Sequence, residues 1–118
     1  MPVLTHDEMR EGLEIVRRHI VPTPTHHWPL LSARTGSEVW VKHENHTQTG
    51  AFKVRGGLVY MTKLKAAEPD CPVVISATRG NHGQSVARAA GAVGLKSMIV
   101  VPHGNNPEKN AAMKALGA

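Results

Sequence analysis

Cysteine, aromatic side chains and long apolar runs are all scarce in this chain, and each shortage excludes something. Cys71 is the single cysteine in 118 residues, so no internal disulfide can form and a reducing cytoplasm is the expected setting. Aromatic residues make up 3% of the chain, too few to build the stacking platforms of a single-strand nucleic-acid binder. No apolar run approaches the ~20 residues needed to span a bilayer, which excludes a transmembrane reading. Met1 to Glu8 has neither the basic start nor the apolar core of a secretory signal. Acidic residues are few beside basic ones, 9 against 14, which leaves a net charge of +5. The basic residues are dispersed rather than gathered into a stripe, so small anions explain the charge at least as well as nucleic acid does. A basic face turned toward a further part of a larger protein would explain it too.

What is present reads as one α/β unit. Met9, Leu13, Ile15 and Val16 recur near helical spacing and predict a helix from Asp7 to His19, capped by Thr5 or Asp7. Pro22 and Pro24 then enforce extended chain, Leu30 and Leu31 suggest a short packed turn, and the alternation in 38–42 predicts a strand. A polar loop, 44–50, leads to a helix over 51–68. Val73 to Ala77 and Ser97 to Val101 are apolar enough to be buried strands, with a loop over 78–83 and an alanine-rich helix over 84–93 between them. Pro107 opens a last helix that runs to Leu116. Strands alternating with helices imply a parallel sheet layered with helices.

Two segments carry chemistry. Lys53 lies between Phe52 and the glycines of Arg55-Gly56-Gly57, at the start of a helix. A lysine condenses with an aldehyde only as the neutral amine, and partial burial by Phe52 with a cation at Arg55 would favour that form. The plainer reading is a surface lysine that opens a helix. The second segment, Thr78-Arg79-Gly80-Asn81-His82-Gly83, sits where a strand hands over to a helix, so its open backbone N–H groups and the helix dipole favour an anion. Asn81 adds a donor and an acceptor. On pattern alone an anion site and an ordinary glycine-containing turn weigh equally.

Together these segments resemble the fold-type-II pyridoxal-phosphate enzymes, the threonine/serine dehydratase (ammonia-lyase) and serine racemase family. The resemblance runs from Ile20-Val21-Pro22-Thr23-Pro24 through Val41-Lys42-His43-Glu44-Asn45, Thr49 to Gly56 and Ala77 to Gln84, and ends at Ile99-Val100-Val101-Pro102. It implies that Lys53 binds pyridoxal phosphate covalently and later removes the substrate's α-proton. It implies that Phe52 packs beside the cofactor and that Asn81 meets the ring's 3-hydroxyl oxygen. The substrate carboxylate is expected at Thr78, Arg79, Gly80, Asn81 and His82. The implied reaction turns L-threonine or L-serine into a 2-oxo acid and ammonia.

Arg79 departs from the family pattern. Racemases carry there a serine that handles protons on the opposite face of the ring, and arginine stays protonated at any ordinary pH. Elimination is therefore favoured over racemisation, while a grip on an acidic β-hydroxy amino acid such as hydroxyaspartate stays open. The family's glycine-rich phosphate loop, its partner for the pyridine nitrogen and its cation ligands do not occur in these residues. The expectation is thus an N-terminal portion of a two-domain enzyme, with 1–50 in the large domain and 51–118 forming part of the small one. Alone, such a portion would be inactive or a non-catalytic fragment that binds its missing half. The intact protein is expected to be a homo-oligomer acting on an amino acid.

Eight histidines invite a metal reading. His26-His27 and the His43/His46 pair lack the spacing of zinc ligands, no cysteine pair accompanies them, and loop histidines are the expected account. Cys71 has no base beside it in sequence, so a nucleophilic role is not expected.

Overall fold

The computed structural model of the chain describes residues 4–118, so the signal-peptide reading falls partly outside the described residues. Helix α1, His6–Arg17, starts at a capping box in which Glu8 N donates to Thr5 Oγ1 at 3.2 Å and Thr5 N to Glu8 Oε2 at 2.7 Å. Thr5, not Asp7, is the cap. Strand β1, Thr25–His27, pairs antiparallel with β2, Trp40–Lys42, with His26 opposite Val41. Between them lies α2, Pro29–Thr35, opened by proline and closed by Gly36 in the left-handed region at φ 70°. The packed turn expected at Leu30 and Leu31 is instead this helix, and Leu30 is 89% exposed.

A short 3₁₀ turn, Glu44–His46, precedes α3, Lys53–Ala67. Then follow β3, Val73–Ala77, α4, Asn81–Ala92, β4, Lys96–Val100, and α5, Pro107–Ala115. β3 and β4 are parallel, Val73 opposite Lys96 and Ala77 opposite Val100, as the α/β reading requires. They are not buried on both faces, however. Residues alternate along both strands, and Ile75, Met98 and Val100 stand exposed on the face away from the helices. Parallel strands become fully buried only when both faces are covered.

The core lies between α3, α4 and α1. Val54, Leu58 and Met61, at helical spacing on α3, meet Val86, Ala89 and Ala90 of α4, with Ile15 and Leu95 closing the cluster. Small residues let these two helices come close: a Cβ on Gly57 would lie 3.2 Å from Ala89 Cβ and 3.3 Å from Ser85 O. That approach brings the starts of α3 and α4, the two segments singled out above, beside one another at one end of the unit. Among the described residues, no helix is long and apolar enough to cross a membrane.

Candidate functional site

The turn ahead of Lys53 is fastened by threonines. Thr47 Oγ1 donates to Ala51 O at 2.8 Å and accepts from Ala51 N at 3.0 Å, and Thr49 Oγ1 donates to the same carbonyl at 3.3 Å. Both threonines are buried. Gly50, at φ 64°, turns the chain in a conformation that a side chain would disfavour. Lys53 is then the first residue of α3, whose N-cap, Phe52, makes no side-chain cap.

Arg55, in the first turn of α3, grips Glu44 with a two-pronged contact, Nε to Oε2 at 2.7 Å and Nη2 to Oε1 at 2.9 Å. Thr23 Oγ1 also donates to Glu44 Oε1, at 2.6 Å, and Lys42 Nζ donates to Thr23 O at 3.1 Å. The Arg55 hydrogen bond, ahead of an opposing desolvation and the Thr23 bond, holds the Glu44 carboxyl down at about 2. The same bond raises Arg55 above its ordinary value. The sequence reading saw Arg55 only as a cation near Lys53 and did not single out Glu44 or Thr23. The surroundings expected for Lys53 therefore differ. Phe52 is 63% exposed, Lys53 is exposed, and the charge of Arg55 is committed to Glu44.

In the second segment, helix α4 starts earlier than the sequence suggested. Asn81, His82 and Gly83 form its first turn rather than a loop. No side chain caps them, and Gln84 N donates to Gly80 O at 3.2 Å. Among the described residues the amides of Asn81, His82 and Gly83 have no backbone partner, and those of the exposed Asn81 and His82 are open to a ligand. The Thr78 amide is not open, because it donates to Val100 O at 3.0 Å within the sheet extension. Gly83 is buried under Met113, Thr78 and Ile99, and the Lys109 side chain lies across Gly80.

A cavity of about 810 Å³ opens between α3, α4 and the β3 edge, and Phe52, Lys53, Tyr60, Ser76 and His82 line it over an apolar floor that includes Val86. The amine and the start of α4 thus face one space. Arg79 is placed elsewhere: with His103 and Asn106 it lines a separate cavity of about 140 Å³. His26, His43 and His46 gather, with ring centroids 5.4 Å and 5.7 Å apart along the series, and Trp28 Nε1 donates to His43 Nε2 at 3.3 Å. Among the described residues, no group of three or more His, Cys, Asp or Glu side chains is arranged to hold a metal ion.

Comparison with known proteins bears on the family of the chain. The family model described as pyridoxal-phosphate dependent enzyme matches residues 16–118. The chain is 34% identical over 116 residues to an L-threonine ammonia-lyase of Geobacter sulfurreducens, a match covering 98% of this chain and 29% of that enzyme. It is 30% identical over 118 residues to an L-threo-3-hydroxyaspartate ammonia-lyase of Saccharomyces cerevisiae, covering all of this chain and 36% of the relative. The crystal structure of a pyridoxal 5'-phosphate-dependent aspartate racemase superposes with a TM-score of 0.91 at 31% identity, over 100% of this chain and 38% of that one. The chain therefore spans little more than a third, at most, of the relatives it matches. With the parallel β3–β4 pair, the lysine-bearing helix and a match over residues 16–118, the chain belongs to the pyridoxal-phosphate-dependent enzymes of fold type II.

Proposed function

We propose that the whole protein is a pyridoxal-phosphate-dependent ammonia-lyase that converts L-threonine or L-serine to a 2-oxo acid and ammonia. The observation that carries this reading is the shared cavity: Lys53 and the first turn of α4, through His82, open on the same 810 Å³ space. The residues present suit the cofactor. A primary amine stands at the rim for its aldehyde, apolar side chains line the floor for its ring, and open amides offer themselves to an anion. When bound, pyridoxal phosphate supplies the electron sink for the charge left at the substrate's Cα.

The chain's own residues supply position and proton handling. Lys53 would hold the cofactor through Nζ, and the same atom would take the substrate's α-proton. Phe52 packs beside the ring, and the Asn81 side-chain amide is assigned to the ring's hydroxyl oxygen. The amides of Asn81 and His82 hold the substrate carboxylate, favoured by the α4 dipole. Gly80, with the Lys109 side chain lying across it, contributes its backbone, and Thr78 contributes its hydroxyl, since its amide is engaged. Arg79 is the member least well placed, because the cavity it lines is not that of Lys53.

Further parts of the reading concern the whole protein: a cytoplasmic homo-oligomer, with 1–50 in a large domain and 51–118 in a small one. Two separate sheets, β1–β2 and β3–β4, support that division. A second reading, action on hydroxyaspartate, is favoured by the activity named for the yeast relative and by the guanidinium that Arg79 brings to the segment.

Lys53→Ala tests the assignment. Release of 2-oxo acid from L-threonine by the whole protein should vanish, and borohydride reduction with pyridoxal phosphate should label the wild-type chain at Lys53. Activity at the wild-type level in the variant would overturn it. Hydroxyaspartate consumed faster than threonine would select the second reading.

A further inference from the structure

Lys53 stands on a helix end that no side chain caps and whose one buried anchor is the apolar Val54. Phe52 gives α3 no side-chain cap, and helix ends without caps fray. The 3₁₀ turn that precedes it contributes no buried residue. What joins these pieces is a polar junction drawn from three separate stretches: Thr23 from the segment ahead of β1, Glu44 from the 3₁₀ turn, and Arg55 from α3.

We infer that the Thr23–Glu44–Arg55 junction is a positioning device that fixes the azimuth of the first turn of α3, and with it the direction in which Lys53 enters the cavity. The inference rests on the reading of Lys53 as the cofactor lysine. A fork held by two parallel bonds constrains rotation as well as distance, which a single point contact cannot do. Arg55 lies two residues beyond Lys53, so a turn of the helix at Arg55 swings Lys53 by the same angle. The junction is also shielded. Its side chains are 28% and 21% exposed, against 49% and 54% for the Lys63–Glu11 pair on the far stretch of the same helix. Shielded pairs are held in one arrangement, whereas open ones exchange with water at little cost. Glu44 Oε1 accepts from Thr23 Oγ1 and Arg55 Nη2, Oε2 accepts from Arg55 Nε, and the Glu44 carboxyl stays ionised through the neutral range. A carboxylate with three hydrogen bonds, gripping an arginine that lines the cavity, is unsuited to proton transfer and well suited to holding geometry.

The test measures where pyridoxal phosphate attaches and how fast, using the whole protein. Wild type, Arg55→Met, Arg55→Lys, Glu44→Gln and Thr23→Val are incubated with pyridoxal phosphate, quenched with borohydride at intervals and mapped by mass spectrometry. Lys96 and Lys114 serve as internal references, and Lys63→Ala as the control for an ordinary ion pair. Induced circular dichroism of the bound chromophore reports whether its orientation is fixed. Arg55→Met and Glu44→Gln should slow labelling at Lys53 about tenfold, the scale of a lost charge-assisted hydrogen bond, and weaken the induced signal. Labelling at Lys96 and Lys114 should not change. Arg55→Lys should recover only part of the rate, because it restores charge without the fork. Lys63→Ala should match wild type.

Wild-type rates and dichroism at Lys53 in folded Arg55→Met would overturn the junction while leaving the lysine assignment standing. If Arg55→Met does not fold, Thr23→Val decides, since it removes one hydroxyl at constant shape. A rate about threefold lower, the small end of a lost hydrogen bond, supports the inference, and an unchanged rate overturns it. Absence of Lys53 label in the wild type would instead overturn the cofactor-lysine reading, and this inference with it.

Discussion

Gly83→Ala should destabilise the chain although it replaces glycine by the best helix former inside a helix. The methyl group would stand 2.3 Å from Met113 Sδ, 2.8 Å from Thr78 Cγ2 and 3.1 Å from Ile99 Cγ2. Met113 is 3% exposed, so its thioether cannot swing into water without leaving the core, and Thr78, being β-branched, has few rotamers to offer. Overpacking of this kind costs about 1–3 kcal/mol, against a return of about 1 kcal/mol in helix propensity. With two contacts under 3 Å the cost falls at the upper end, so the net loss should approach about 2 kcal/mol, which lowers a urea midpoint by about 1 M for a domain this small. Gly56→Ala supplies the contrast. A methyl there meets nothing within 4 Å, so only the propensity gain remains and the midpoint should rise by about 0.5 M. Urea unfolding followed by far-ultraviolet circular dichroism reads both variants in one assay. An equal or higher midpoint for Gly83→Ala would refute the reasoning, because it would mean that α4 does not begin in close contact with α5 and the sheet.

The remaining expectations concern charge. The folded-state pKa of Glu44, about 2, lies below its ordinary 4.5, so the stability it contributes is complete above about 4.5 and is lost as pH falls toward 2. The gap in urea midpoint between wild type and Glu44→Gln should therefore be constant at neutral pH, corresponding to at most about 3 kcal/mol, and close between pH 5 and 2. A gap unchanged at pH 2 would show that the Glu44 carboxyl gains nothing from Arg55. Arg79→Ser in the whole protein should bring some D-serine from L-serine, measured by chiral chromatography. None would mean that Arg79 does not set the balance between elimination and racemisation.

How much of this was legible beforehand varies with the range of the forces involved. Helix α3 could be read because Val54, Leu58 and Met61 repeat at helical spacing and bury themselves, and β3 because Val73 to Ala77 is a short apolar run between turn residues. Helix α2 could not. Leu30 and Leu31 look like core residues, yet proline at its start and Gly36 at its end make a helix that leaves Leu30 in water. The start of α4 was placed too late because Asn81, His82 and Gly83 are poor helix formers, and packing of Gly83 beneath Met113 overrides that preference.

Lys53, Phe52 and Asn81 could be proposed from the sequence because their neighbours form compact motifs. Glu44 and Thr23 could not, since their importance comes from Arg55, 11 and 32 positions away. The sequence by itself determined the order of the elements from α3 onward, the parallel α/β character and the family, all of which follow from local periodicity and short motifs. Only the tertiary structure decided that Arg55 is neutralised by Glu44, that the Thr78 amide is engaged and that Arg79 faces a different cavity from Lys53. Contacts between distant segments depend on how helices and strands pack, and no local pattern records that.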